Sequence, residues 1–229
     1  LNCSGLPISS AIDAELYNFE IASCTIESGS SIVLTTDGLI EEEVETGMYG
    51  IERLARVFGS SYYLPPELII NNINKNFKEI TGSLQGADDI TFMVLQHNPK
   101  IIAEFNKTTD TICEELQALK LEVHDFLKKY CTNIEEALIG FSEMVNNAVE
   151  HGNKFDINKN IDVRLLITDK YLKVTIKDEG KGFQWEDKID KKLLYDDYKE
   201  RGRGILLTQM TYDYINYNKT GNQVILLKK

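Results

Sequence analysis

The sequence is poor in cysteine and in basic residues relative to acidic ones, and it contains no long apolar run. No apolar stretch approaches the roughly 18 residues of a membrane helix, and no signal-peptide pattern opens the chain. We therefore expect a cytoplasmic protein with no membrane segment in this chain. Lysines and arginines number 25 against 36 acidic residues, a net charge of −11. This excess of acid argues against general nucleic-acid binding, which depends on neutralising phosphates.

The few cysteines show no spacing typical of a metal-binding pair, and we expect reduced thiols at Cys3, Cys24, Cys113 and Cys131. Neither an internal repeat nor a low-complexity tract is present. A chain of 229 residues with 42% hydrophobic content is long enough for two small domains or one large one. Because its first residue is Leu1, we expect a fragment of a longer protein.

A break at Asn98-Pro99 predicts two α/β domains, covering 1–98 and 101–229. In the first domain, we expect strand-and-turn structure over 1–30, a strand at 32–34, helices at 48–58 and 66–80, and a strand at 90–94. In the second domain, we expect a strand at 101–105, helices at 110–130 and 134–154, and strands at 161–168 and 171–177. A helix opening at Gly204 and a closing hairpin complete the chain.

The helix predicted at 134–154 is amphipathic, with an apolar stripe formed by Ile134, Leu138, Phe141, Val145 and Val149. Glu143 and Asn147, four residues apart, share a face opposite that stripe, and Gly140 and His151 fall along the same polar line. A carboxylate and a carboxamide one turn apart can handle a metal-bound phosphate. A solvated helix face has the same pattern, so the helix alone leaves both interpretations open.

Two glycine-rich motifs follow this helix: Asp178-x-Gly-x-Gly after a strand and Arg201-Gly-Arg-Gly before a helix. Glycine lets the backbone approach a ligand closely. The second motif precedes a helix start, where free amides and the helix dipole favour phosphate. Either motif alone is most often a plain turn. The ordered set of three elements is more specific for a phosphate-bearing ligand.

The order SEMVNNAVEHG, DEGKGF, RGRGILL resembles the N, G1 and G2 boxes of GHKL-type ATP-binding domains. Within that class, residues 101–229 most resemble the small anti-sigma-factor serine kinases. The resemblance implies a two-layer α/β sandwich, with a mixed sheet covered by helices on one face. It also implies ATP and Mg²⁺, a STAS-type anti-anti-sigma factor as protein substrate, a sigma factor as second partner, and room for a homodimer.

By this resemblance Asn147 is the Mg²⁺ ligand that bridges the ATP phosphates, and Glu143 is the general base for the attacking serine. Such an amide oxygen suits a hard cation. The family spacing selects Asn147 rather than the neighbouring Asn146. Sensor histidine kinases share this fold and are the nearest rival, but His124 has neither the position nor the flanking proline of their phospho-acceptor.

The same resemblance makes Asp178 the acceptor for the adenine amino group, with Gly180 and Gly182 letting the base lie against the backbone. The implied lid over the phosphates contains Arg201, Gly202, Arg203 and Gly204. One departure is Asn222, which stands where the family usually has threonine. Whether it keeps a nucleotide contact is left open.

In the first half, TTDGLIEE and GADDITFMVL resemble the last two metal-binding motifs of PPM-type serine/threonine phosphatases of the sporulation and stress-response subgroup. Asp37 and Asp88 would then ligate Mn²⁺ or Mg²⁺, for which carboxylate oxygens are suited. Taken alone, each aspartate is most often a turn former. The resemblance covers only the C-terminal half of such a domain, and the family's other aspartates would precede Leu1.

Together the two resemblances imply a bacterial partner-switching regulator acting in signal transduction and transcription regulation. A serine kinase domain phosphorylates a STAS-type protein, and a phosphatase domain, truncated here, opposes it. The alternative is a binding module: a nucleotide-responsive scaffold that holds the sigma factor or the STAS protein without transferring phosphate.

Overall fold

The computed structural model describes residues 21–45, 47–185 and 203–229. The elements before Pro99 are β1 (Ser31–Thr35), α1 (Asp37–Ile40), β2 (Glu43–Val44), β3 (Gly47–Met48), α2 (Ile51–Ser61), α3 (Pro66–Thr81) and β4 (Phe92–Gln96). After it come β5 (Ile101–Asp110), α4 (Cys113–Tyr130), α5 (Glu135–Asn147), a π-helical turn (Ala148–Gly152), β6 (Asn160–Thr168), β7 (Leu172–Asp178), α6 (Arg203–Thr211), β8 (Tyr214–Tyr217) and β9 (Gln223–Lys228).

The first half packs two helices against an antiparallel strand pair. Strand β1 pairs with β4, so that Thr35 lies opposite Phe92. Helix α3 buries Ile69, Ile73 and Phe77, which recur at four-residue spacing and so form one apolar face. This confirms the helix predicted at 66–80. Of the strand-and-turn structure expected over residues 1–30, residues 1–20 lie outside the described residues, residues 21–27 form neither strand nor helix, and residues 28–29 form a turn.

The five described strands of the second half form one sheet in the order β5-β6-β7-β9-β8. Every neighbouring pair in this order is antiparallel, so the expectation of a mixed sheet is wrong. The connections account for two of the four pairs, because β6–β7 and β8–β9 are hairpins, and a short turn can join only antiparallel strands. The other two pairs, β5–β6 and β7–β9, join strands that are not consecutive in the chain or are separated by helices.

Helices cover one face of this sheet. Alternate residues of β6 are buried, including Ile161, Val163 and Leu165, and they share a core with Val123 of α4 and Phe141 of α5. This alternation is the two-residue period of a sheet with one buried face. The structure therefore confirms the two-layer α/β architecture.

Helix α5 buries more than the predicted stripe. Gly140, expected on the polar line, is buried against α6, where an added Cβ would lie 2.6 Å from Cε2 of Tyr212. The Tyr212 hydroxyl donates a hydrogen bond to the Ala137 carbonyl at 2.9 Å. Since α6 packs across α5, this helix has two covered faces. Within the predicted stripe, Ile134 and Leu138 are only partly buried.

The two halves touch through the last strand. Leu227 of β9 is buried among the apolar residues of the first half, and Tyr171 and Tyr214 pack against the same group. Burial raises the pKa of Tyr214 to about 12. Of the helices in the described ranges, none combines the length and apolar character needed to span a membrane.

Candidate functional site

Glu143 and Asn147 lie side by side on α5 and face the start of α6. Both are half-buried, because the four-residue spacing places them on one helix face and the backbone of Gly204 covers that face. A Cβ added at Gly204 would lie 2.8 Å from Oε2 of Glu143 and 3.4 Å from Nδ2 of Asn147. The structure thus brings together three predicted site residues from motifs about 60 positions apart in the chain.

The adjacent asparagine points elsewhere. Asn146 is exposed, and its Oδ1 accepts a hydrogen bond from Nζ of Lys120 on α4 at 3.1 Å. Consecutive residues of a helix do not share a face, so only Asn147 of this pair lies beside Glu143 and Gly204.

Helix α5 ends in the π-helical turn Ala148–Gly152, a wider form of helix that is frequent at functional sites. The turn brings Gly152 against the carboxyl group of Asp178, at the end of β7. A Cβ added at Gly152 would lie 2.5 Å from Oδ1 of Asp178, and one added at Gly180 would lie 2.7 Å from the same oxygen. Two glycine backbones therefore enclose this carboxyl group.

Asp178 is almost buried, with 9% of its surface exposed. Its Oδ1 accepts the Gly180 N–H at 2.8 Å. Burial raises the pKa of Asp178, and this is partly offset by the Gly180 N–H and by the charge of Lys159. A nearly buried carboxyl group is a directional hydrogen-bond acceptor, which suits recognition of an amino group on a flat ligand.

Gly182 lies against the hairpin that joins β8 to β9. Its φ is +74°, and an added Cβ would overlap the carbonyl oxygen of Thr220, so both the backbone conformation and the space require glycine. Asn222 of that hairpin donates from Nδ2 to the Asp178 carbonyl at 3.2 Å. Its Oδ1 accepts from Asn218 and Thr220 at 2.8 and 2.7 Å. The Asn222 amide therefore fastens the hairpin to the end of β7.

Asn153, which sequence reasoning missed, connects three parts of this region. It is fully buried; its Nδ2 donates to the Asn160 carbonyl at 2.9 Å, and its Oδ1 accepts from the Glu179 N–H at 2.9 Å. An asparagine after a helix-ending glycine resembles an ordinary cap in sequence, so no local signal separates it from a surface residue.

The lid residues are only partly described. Arg201 and Gly202 lie outside the described residues, and so does the side chain of Arg203. Gly204 is the predicted lid residue with a defined place, against Glu143 and Asn147. The roles assigned to all four lid residues stay predictions.

The positions of the three histidines bear on whether one of them could be a phosphate acceptor. Nδ1 of His124 on α4 lies 3.1 Å from a carboxylate oxygen of its neighbour Asp125. Nδ1 of His97 lies 3.0 Å from the carbonyl oxygen of Ile26, and His151 is exposed at the end of the π-helical turn. These positions fit the interpretation of His124 as an ordinary helix histidine.

In the first half, Asp37 follows β1 and Asp88 precedes β4. The antiparallel pairing brings their segments together, since a Cβ added at Gly38 would lie 2.7 Å from the Asp89 carbonyl oxygen. Both aspartates are exposed. The Asp37 and Asp88 carboxylates accept N–H groups of the next residues at 3.0 and 2.8 Å.

A complete two-metal centre needs more ligands than these two. Glu42 is close by, since its Oε2 accepts the Ala87 N–H at 2.8 Å. Nevertheless, within the described ranges no three acidic, histidine or cysteine side chains are grouped so that they could hold a metal ion. The donors in this part of the chain do not fit a complete phosphatase centre, and we derive no hydrolytic step from them.

Comparison with known proteins decides the family. Residues 109–228, more than half of the chain, match the family model described as the histidine kinase-like ATPase domain. The chain belongs to this ATPase family. Residues 2–98 match the model of Stage II sporulation protein E. The predicted combination, a PPM-type phosphatase fragment followed by a GHKL-type ATPase domain, is confirmed.

One solved structure similar to this chain contains the RsbU and RsbW domains of Rv1364c from Mycobacterium tuberculosis. The identity is 18% and the TM-score 0.40, and the match covers 92% of this chain and 55% of that one. This chain thus spans about half the length of that structure.

Membership of the ATPase family gives the observed geometry a chemical context. Domains of this family bind ATP, and the residues that surround the Glu143–Asn147 face and the Asp178 carboxyl group come from the three predicted motifs. The individual roles of these residues, and the identity of the phosphate acceptor, are the subject of the proposal below.

Proposed function

We propose that the C-terminal ATPase domain transfers the γ-phosphate of ATP to a serine of a STAS-type anti-anti-sigma factor. The observation that supports this most strongly is the Glu143 carboxylate beside the Asn147 amide, both against the glycine backbone that begins α6. The pair combines a proton acceptor with a neutral oxygen ligand. A site that only bound nucleotide would have no need of the acceptor.

The start of α6 completes the phosphate end of the site. Helix α6 begins at Arg203 and runs for nine residues, so its first amides have no partners within the helix. Those amides and the helix dipole favour the negative charge of phosphate. Gly204 allows these amides to approach Asn147, because any side chain there would fill the space.

The oxygen atoms of this site also suit the magnesium ion that accompanies ATP. Asn147 Oδ1 would be its protein ligand, and the ion would supply neutralisation of phosphate charge. Glu143 takes the proton of the serine hydroxyl as the serine oxygen bonds to the γ-phosphorus. The bond from that phosphorus to the oxygen shared with the β-phosphate breaks, and ADP leaves.

Asp178 recognises the base in this proposal. Its carboxyl group, which the backbones of Gly152 and Gly180 enclose, accepts from the amino group of adenine. The base would lie against the backbone of Gly180 and Gly182. Guanine has a carbonyl oxygen at the equivalent position, which a carboxylate would repel.

The two halves of the chain belong to kinds of domain that catalyse opposite reactions. Residues 101–229 would form the kinase domain and residues 1–98 part of a serine phosphatase that removes the same phosphate. Phosphorylation of the STAS protein would decide whether this chain holds the STAS protein or a sigma factor. Cytoplasmic location and the capacity to form a homodimer belong to the same proposal.

The test is single-turnover transfer from γ-labelled ATP to STAS proteins, with equilibrium ATP binding measured on the same samples. Glu143→Ala should keep its ATP affinity and lose about 10²–10⁴-fold in transfer rate, the usual share of a general base. Asn147→Ala should impair both binding and transfer. Asn146→Ala is the matched control, because its exposed side chain faces α4, and it should change neither.

Two results would overturn the proposal. If the unmutated chain binds ATP and STAS protein but transfers no label, the chain is a nucleotide-responsive scaffold. If the label is acid-labile, the acceptor is a histidine rather than a serine, and the chemistry is that of a sensor kinase.

A further inference from the structure

We propose that Gly152 and Asn153 are positioning residues that set the orientation of the Asp178 carboxyl group and thereby the preference of the site for adenine. This inference rests on the proposed nucleotide site. It concerns only base recognition, and so it can be tested without any phosphate acceptor.

Asn153 fastens the end of the long helix to the sheet. Its N–H donates to the Ala148 carbonyl at 2.8 Å, a five-residue spacing that closes the π-helical turn. Its side chain reaches Asn160, the first residue of β6, and the N–H of Glu179, the residue after Asp178. One fully buried side chain therefore joins three segments of backbone.

The backbone after Asn153 supports this interpretation. Lys154 and Phe155 have φ values of 57° and 59°, a left-handed conformation that side-chain-bearing residues rarely adopt and that persists only where the surroundings enforce it. The Phe155 N–H donates to the Val149 carbonyl at 3.0 Å. Backbone hydrogen bonds thus hold the residues after the π-helical turn in a conformation of high backbone energy.

The position of the turn determines the room around Asp178. Gly152 lies so close to the Asp178 carboxyl group that an added Cβ would overlap its Cγ. On the other side, Gly180 lies against both the Asp178 carboxyl group and the Gly152 carbonyl oxygen. The carboxyl group is therefore held between two backbones, one of which Asn153 anchors.

The orientation of this carboxyl group matters because hydrogen bonds weaken steeply with angle and distance. A charge-assisted hydrogen bond to the adenine amino group corresponds to a preference of about 10- to 100-fold over a base that lacks the amine. If the Glu179 N–H loses its partner, or if Gly152 acquires a side chain, the carboxyl group turns away from this geometry. Contacts to the triphosphate are unaffected.

The experiment compares the affinity of the full chain for ATP and for ITP, which carries the same triphosphate but an oxygen in place of the amine. Calorimetry on Asn153→Ala and Gly152→Ala should show the ATP-to-ITP preference falling from about 10- to 100-fold towards unity, with ITP affinity retained. Where Asn153→Ala fails to fold, Gly152→Ala, which removes no hydrogen bond, makes the same comparison.

The matched control is Thr168→Ala. Like Asn153, Thr168 is a buried polar residue, and its hydroxyl donates to the Tyr171 carbonyl across a turn. It is the last residue of β6, whereas Asn153 contacts the first. This variant should lower the melting temperature and leave the preference unchanged.

Three results would overturn the inference. A variant that folds and keeps the preference of the unmutated chain would show that Asp178 is positioned without these residues. An equal loss of ATP and ITP affinity would show a structural role only. No preference in the unmutated chain would refute base recognition by Asp178 itself, whereas failure of serine phosphorylation would leave this preference intact.

Discussion

The contact between Gly204 and the Glu143–Asn147 face makes a single methyl group a sharp test of the site. In Gly204→Ala the new Cβ would lie 2.8 Å from Oε2 of Glu143, closer than such atoms can approach, and 3.4 Å from Nδ2 of Asn147. The Glu143 carboxylate must move, because it is the far end of a flexible side chain whereas the start of α6 is backbone.

The free energy of unfolding and the transfer rate should therefore respond differently. Moving the end of a glutamate side chain costs little, and alanine is favoured over glycine within a helix by up to about 1 kcal/mol. The free energy of unfolding should be unchanged or slightly higher. In contrast, a misplacement of roughly 1 Å can lower a rate about 10²-fold, so transfer should fall by about 10- to 100-fold.

Urea unfolding and single-turnover phosphate transfer on the same samples measure the two effects. Gly59→Ala is the matched control, because Gly59 is an exposed residue of helix α2 with no other group within 4 Å of an added Cβ. It should gain up to about 1 kcal/mol in stability and leave transfer unchanged. If Gly204→Ala transfers phosphate at the unmutated rate, Glu143 is not confined by α6 and the proposed site is wrong.

The structure supports three further predictions. Burial raises the pKa of Asp178 above its ordinary 3.8, so the folded state loses stability as the pH rises from that value through the raised one. Asp178→Asn should therefore melt at a higher temperature at pH 7, with no advantage below about pH 4, while ATP affinity falls by about one to two decades in calorimetry. Tyr212→Phe removes the buried hydrogen bond to Ala137 and should lower the urea-derived free energy of unfolding by about 0.5–1.5 kcal/mol; an unchanged value would contradict this. With Mn²⁺ the chain should not hydrolyse a phosphorylated STAS protein, because Asp37 and Asp88 form only part of a metal centre; measurable turnover would refute this.

Much of the secondary structure could be predicted because it depends on neighbours along the chain. The apolar residues of α3 at four-residue spacing, and the alternation along β6, are set by the geometry of helix and strand themselves. The order of the motifs around Glu143, Asp178 and Gly204 resembles that of an ATP-binding domain, and this resemblance predicted the nucleotide site proposed here.

What only the tertiary structure decided concerns groups that are distant in the chain. Gly140 was assigned to the polar face because nothing nearby indicates Tyr212, which lies 72 positions later and covers it. The antiparallel order of the sheet depends on which strands meet, and a strand pattern does not encode its partner. Asn153 shows the same limit. Its importance lies in simultaneous hydrogen bonds to Asn160 and Glu179, and a side chain's hydrogen-bond partners are defined only once long-range packing has brought those segments together.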